Sequence, residues 1–346
     1  MIYIKIIIIF LLNFILSAAY AEDKIVNVYA WSGYLSEDII QLFEKQTGIH
    51  VNHSIFLNNE VLYTKLKADS DSGYDVIMPS NYFIPRMIEQ KLIQKLNKSK
   101  LTNFKNLNPL FLNQEYDKNN QYSLPYLYVA TGVAINKKYH QEFNKTNNIL
   151  WEDLWNQKYK NQLLILDNTR ETFAMALMKL GYSINDTDPE HIKEAFEQLK
   201  TLMDNTKLFN SEAQRSIYID EDITIGMGWN GDLFLAKQEN SNLTLIYPKD
   251  GFSVYLDCLA IPTGAKHVES AHQFINFVLQ ANIAKSIALF SGFSTPNLAG
   301  MNLLPEQIKT SPFLYPNRAT MQRAQILNDI GDAALIYEKY FELLRS

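Results

Sequence analysis

Residues 25–79, IVNVYAWSGYLSEDIIQLFEKQTGIHVNHSIFLNNEVLYTKLKADSDSGYDVIMP, decide the fold. Ile25 to Ala30 is a short apolar run and reads as a strand. Glu37 to Gln46 carries Ile39, Ile40, Leu42 and Phe43 on one helical face and stops at Thr47-Gly48. Ile49 to Ile55 reads as a second strand and Glu60 to Ala68 as a second helix. Tyr74 to Met78 reads as a short buried strand ended by Pro79. This β-α-β-α-β order predicts a largely parallel sheet with helices on both faces.

The pattern restarts downstream. Strands are predicted at Leu163 to Leu166, Ile223 to Met227, Leu243 to Tyr247 and Leu256 to Ile261. Helices are predicted at Glu171 to Leu180, Glu190 to Met203, Ala271 to Leu279, Ile283 to Phe290 and around Asp332 to Leu344. Two longer apolar segments, Leu124 to Ile135 and Val254 to Ile261, read as extended chain running past the middle of the molecule. The expectation is two α/β lobes joined by crossing strands, with a cleft between them. Residues 22–130 and 259–300 are assigned to the N-terminal lobe, and 131–258 and 301–346 to the C-terminal lobe. In open α/β sheets ligands sit beyond the carboxyl ends of strands, so the residues there are the ones to inspect.

Composition narrows the function classes. Of 346 residues, 47% are hydrophobic and 20% charged, which fits a globular protein with real cores rather than a disordered chain. The net charge is −5 and no basic run is present to track phosphates, so a nucleic-acid role is not expected. Lys5, the apolar run from Ile6 to Leu12 continued by Phe14, Ile15 and Leu16, and Ala19-Tyr20-Ala21 read as a cleaved secretory signal peptide over residues 1–21. Glu22 is then the first mature residue and the periplasm the destination. Cys258 is the lone cysteine, lies in an apolar run and reads as a buried, inert thiol; with no cysteine just after the leader, a lipid anchor is not expected. His50 with His53, and His267 with His272, lack neighbouring carboxylate or thiol clusters, so neither a metal nor a cofactor is expected. Phosphate-loop and nucleophile-elbow motifs are absent.

The predicted strand ends share a composition. Trp31, Ser32 and Tyr34 follow the first strand; Ser80 and Tyr82 follow the third. Glu171 follows Leu163 to Leu166, and Trp229 and Asp232 follow Ile223 to Met227. Tyr255 and Asp257 lie on the second crossing segment, and Phe293 lies between Gly292 and Ser294. Rings and carboxylates together suit a flexible alkyl chain with an ammonium at each end. Ring faces cover methylenes and attract the cation, while carboxylates neutralise a charge that is costly to bury alone. Asp232 also has a simpler reading as a helix-start carboxylate. Arg170 reads as a partner that holds a neighbouring carboxylate in place.

With these residues in view, the chain resembles the spermidine/putrescine-binding proteins of polyamine ABC transporters. The matching stretches are Tyr29 to Tyr34, Glu44 to Ile49, Tyr74 to Ser80, Lys98 to Phe104, Lys179 to Tyr182, Gly226 to Gly231, Leu259 to Pro262 and Thr295 to Leu298. They keep their order along essentially the whole mature chain. The resemblance implies a class II periplasmic binding protein fold, a polyamine ligand, and delivery to an inner-membrane ABC permease by a monomeric protein that performs no catalysis. It implies ligand contacts at Trp31, Ser32, Tyr34, Ser80, Tyr82, Glu171, Trp229, Tyr255, Asp257 and Phe293. Spermidine-type members carry acids where this chain has Gly33 and Asn168, and a glutamine where it has Leu327. Asp232 instead matches an aspartate of putrescine-type members. The expected ligand therefore shifts from spermidine towards putrescine. The alternatives are a binder of another small cationic solute, a sensor or adhesin, or an enzyme on the same fold, which would need an activated nucleophile.

Overall fold

The computed structural model describes residues 24–345, apart from Ser70, Lys145 and Asn147. The expected signal peptide, residues 1–21, lies outside the described residues. The strands are β1 (Ile25–Trp31), β2 (His50–Phe56), β3 (Val76–Ile77), β4 (Ser123–Asn136), β5 (Leu163–Ile165), β6 (Thr206–Phe209), β7 (Ile225–Trp229), β8 (Leu243–Ile246), β9 (Phe252–Ala260) and β10 (Ala324–Ile326). They connect in the order β2-β1-β3-β9-β4-β7-β5-β6, with β8 beside β4 and β10 beside β9.

The two ends of this sheet are parallel: β1 pairs with β2 and β3, and β5 pairs with β6 and β7. The centre is antiparallel, because β4 and β9 run in opposite directions against each other. The pairings of β3 with β9, and of β4 with β7 and β8, are antiparallel too. A largely parallel sheet is thus correct for each end and wrong for the middle. The chain passes from one end to the other along β4 and back along β9, and these two long neighbouring passes of opposite sense pair as an antiparallel ladder.

The apolar runs that marked the crossings have a direct physical basis. Every residue of β4 and of β9 is buried, so neither strand needs the apolar-polar alternation of a half-solvated sheet. β4 faces β9 through Ala130 and pairs with β7 from Thr131 onward. One continuous strand therefore belongs to both ends of the sheet.

Local chemistry fixes the helices around it. Ser36 caps Glu37–Thr47 by accepting from the Ile39 N–H at 3.3 Å, and Gly48 closes that helix in the left-handed conformation, φ 70°. Asn168 caps Thr169–Leu180 by accepting from the Glu171 N–H at 3.1 Å. That helix is buried from Arg170 to Met178, with Phe173, Met175 and Leu177 fully covered. β3 is shorter than the predicted Tyr74 to Met78. Asp75 ahead of it turns its carboxylate to the Asn27 amide and the His267 N–H, each at 2.8 Å. At β7, Gly226 lies against β5 so closely that a Cβ there would stand 2.4 Å from the Leu164 carbonyl oxygen.

Candidate functional site

The carboxyl ends of β1, β3, β5, β6 and β7 converge with β9 on one cavity of about 870 Å³, counting the part open to solvent. Trp31, Ser32, Gly33 and Tyr34 enter from β1, and Ser80 and Tyr82 from β3. Trp229 and Asp232 come from the join of β7 to the helix Asn230–Glu239, and Tyr255 and Asp257 from β9 itself. Phe293 closes a side wall. Of the residues expected at the site, only Glu171 does not line this cavity. It sits 1% exposed in the layer behind, accepting O–H bonds from Thr131 of β4, at 2.7 Å, and from Ser253 of β9. Burial raises its pKa.

Asp257 is the best-organised polar group. It is 1% exposed and accepts O–H bonds from Ser80, at 2.6 Å, and from Tyr34. Asn59 supports this pair from the first turn of the helix Asn59–Ala68. Its amide donates to Ser80 Oγ at 3.0 Å and to the Tyr82 hydroxyl at 3.1 Å. Burial pushes Asp257 up to about 6, against the pull of the Ser80 and Tyr34 hydroxyls. No side-chain cation is paired with it among the described residues.

The walls between the polar groups are aromatic. Trp31 lies against Phe56 with ring centroids 4.4 Å apart, Tyr34 meets Phe293 at 5.8 Å, and Tyr82 meets Tyr255 edge-on at 6.0 Å. The spacing matches ordinary aromatic pairing and holds the ring faces steady around the cavity. Phe293 reaches its place because residue 231 is glycine. A Cβ there would stand 2.5 Å from the Phe293 ring.

Asp232 occupies the first turn of its helix, half-buried at the cavity wall. Among the described residues its carboxylate accepts no hydrogen bond and joins no ion pair; it stands in the helix's first turn, as the simpler reading of a solvated or helix-start carboxylate has it, without capping an N–H by a hydrogen bond. Burial pushes it up to about 7; nearby Glu212 adds to the rise and Arg215 opposes it. Asn168 lines the cavity, but its side-chain oxygen is taken by the Glu171 N–H. Leu327 is fully buried, and its backbone carbonyl accepts from Asn81 at 2.8 Å.

Two expectations need correction or completion. Among the described residues Arg170 donates no hydrogen bond to a carboxylate. Its guanidinium donates to the Asn328 carbonyl and the Asn185 side chain, each at 2.9 Å, and lies 5.5 Å from the Tyr82 ring centroid. It braces the back of Tyr82 and the C-terminal segment. Ser211, Glu212 and Arg215 also line the cavity and were not anticipated. They follow β6, whose sequence Thr206-Lys207-Leu208-Phe209 has no apolar run to mark it as a strand.

No group of three or more His, Cys, Asp or Glu residues is placed to hold a metal among the described residues. His267 pairs with Asp75 at 2.9 Å, and His272 accepts from the Asn97 N–H at 2.9 Å. Cys258 is fully buried and burial raises its thiol pKa, the reverse of an activated nucleophile.

Residues 38–314 match the family described as bacterial extracellular solute-binding protein. The spermidine/putrescine-binding periplasmic protein of Salmonella typhimurium is 42% identical over 332 residues, covering 96% of this chain and 94% of that protein. The chain belongs to the bacterial extracellular solute-binding protein family. A putrescine-binding periplasmic protein of Escherichia coli is 31% identical over 318 residues, covering 86% of this chain and 84% of the relative. A solved Listeria monocytogenes structure, assigned to a spermidine/putrescine ABC transporter, superposes with a TM-score of 0.88. It shares 32% identity, over 93% of this chain and 99% of the other. For a solute-binding protein the cavity has suitable parts: a buried oriented carboxylate, a second carboxylate with no hydrogen-bond or ion-pair partner among the described residues, and aromatic walls.

Proposed function

We propose that this chain is the periplasmic solute-binding component of an ABC importer and that its cavity takes a polyamine, putrescine in preference to spermidine. The observation that carries this reading is the pair Asp257 and Asp232. A buried and a half-buried carboxylate, neither paired to a side-chain cation among the described residues, open onto one aromatic-walled cavity. A buried carboxylate without a counter-charge is costly, and an ammonium brought by the ligand removes that cost. The names of the relatives above point the same way.

In this reading the halves of the sheet are two lobes, 22–130 with 259–300 and 131–258 with 301–346. β4 and β9 act as the hinge, and the closed monomer docks on a membrane permease and releases the ligand unchanged. The leader directs export and is removed after Ala21, which N-terminal sequencing of the periplasmic protein checks. Calorimetric titration with putrescine, spermidine, cadaverine and agmatine tests the ligand class. Binding of at least one at micromolar concentration or tighter is expected, with putrescine tightest. No heat from any of them at high micromolar concentration overturns the reading.

A further inference from the structure

Resting on that reading and deepening it, we propose that Glu212 is a specificity-determining residue. With Asp232 it forms a two-carboxylate pole that receives one terminal ammonium of the ligand.

The cavity is lined by three acids, Asp257, Asp232 and Glu212. Asp257 already accepts two O–H bonds. Neither Asp232 nor Glu212 accepts a side-chain hydrogen bond or joins an ion pair among the described residues. Arg215, the nearby cation, is engaged elsewhere, 2.6 Å from Glu239. The same cavity offers a further acceptor: Ser211 Oγ is buried and, among the described residues, has no hydrogen-bond partner. The turn that carries these groups is fixed, because the Gln214 side-chain oxygen accepts from the Trp229 N–H at 3.1 Å. Glu212, exposed on this turn, is thereby held at the solvent rim of the cavity, near enough to Asp232 to raise its pKa.

A primary ammonium has three N–H donors, and this pole offers three acceptors: Asp232, Glu212 and Ser211. A secondary ammonium in mid-chain has two donors and would need an acid further along the cavity. At the positions where spermidine-type relatives carry acids, this chain has Gly33, which has no side chain, and Asn168, whose oxygen is committed to the Glu171 N–H. Charge is thus concentrated at the ends of the cavity. The ligand class this favours is an α,ω-diamine with primary termini.

The test is calorimetric titration of wild type, E212Q and D232N with putrescine and spermidine at pH 7.5, together with the pH dependence of putrescine binding. Glu212 is exposed, so E212Q keeps the wild-type melting temperature without ligand. Its affinity for putrescine is expected to fall about fivefold, the scale of a rim ion pair. The pH at which binding weakens should also move to more acidic values, because Asp232 loses its negative neighbour. D232N should weaken binding more, and adding E212Q to it should cost little further. An E212Q protein with wild-type affinity and an unshifted pH profile overturns the role of Glu212 and leaves the polyamine reading standing. A wild-type protein that binds neither amine overturns the reading itself, and the proposal with it.

Discussion

Asp257 is a carboxylate that folding has oriented but not neutralised. Its two hydroxyl donors fix the direction of its lone pairs while burial holds its pKa at about 6. Asp257→Asn keeps the shape and removes the charge. Affinity for a diamine should then fall at least about 100-fold, as when one partner of a buried charge pair is lost. The ligand-free melting temperature should hold or rise, since a buried charge is removed. Titration and a thermal scan of one sample measure both. The pH dependence has a definite sign. An unfolded aspartate titrates near about 3.9, whereas Asp257 and Asp232 are raised to about 6 and about 7. Between those limits the folded protein binds more protons than the unfolded chain, so these two residues make ligand-free stability fall as pH rises. An incoming cation favours the ionised forms. Diamine affinity should therefore climb from pH 5 to about 8 and level off above, with proton release seen as a dependence of the binding heat on the buffer's ionisation enthalpy. Affinity that is flat between pH 5 and 7 contradicts this account.

At the scale of elements, two close approaches decide where strands and helices can lie. Gly226→Ala sets a Cβ within 2.4 Å of the Leu164 oxygen and 2.6 Å of its nitrogen, both backbone atoms that cannot swing aside. A loss of about 2–4 kcal/mol is expected from urea unfolding, in the range of severe packing defects. Gly231→Ala meets only a side chain, the Phe293 ring, which can tilt. The expected result is a modest loss of stability and a larger loss of affinity, because the ring that tilts is a cavity wall. How far elements were legible follows from burial. β1, β2, β4 and β9 carry β-branched and apolar residues in runs long enough to read, and the cap residues Ser36, Gly48 and Gly181 punctuate the helices. β6 exposes Lys207 and Leu208, and β10 is a three-residue strand half open to solvent, so neither has a pattern. That gap had a functional cost. Reading strand ends located Trp31, Tyr34, Ser80, Tyr82, Trp229 and Asp257 on the cavity, yet it passed over Ser211 and Glu212, which follow an unmarked strand. Glu171 was legible by residue type alone; its depth behind the wall depends on how β4 and β9 lie together.

For the molecule as a whole, the two ends of the sheet are joined through the antiparallel pair β4 and β9. Saturating diamine should raise stability by about 2.7 kcal/mol at 100 times Kd, and the radius of gyration from small-angle scattering should shrink as the lobes close. An unchanged radius with tight binding would mean a cavity already shut without ligand. β9 carries Tyr255 and Asp257 into the cavity while every one of its residues lies in the core. On the proposed hinge the floor under the ligand is also the part that bends, so a substitution there is expected to alter recognition and motion together. The turn that carries Ser211 and Glu212 is under no such double duty, since it lies off the bending strands and at the rim. Redesign for a new solute, by selection or by hand, has its freest room there, with the floor left as an inherited chassis.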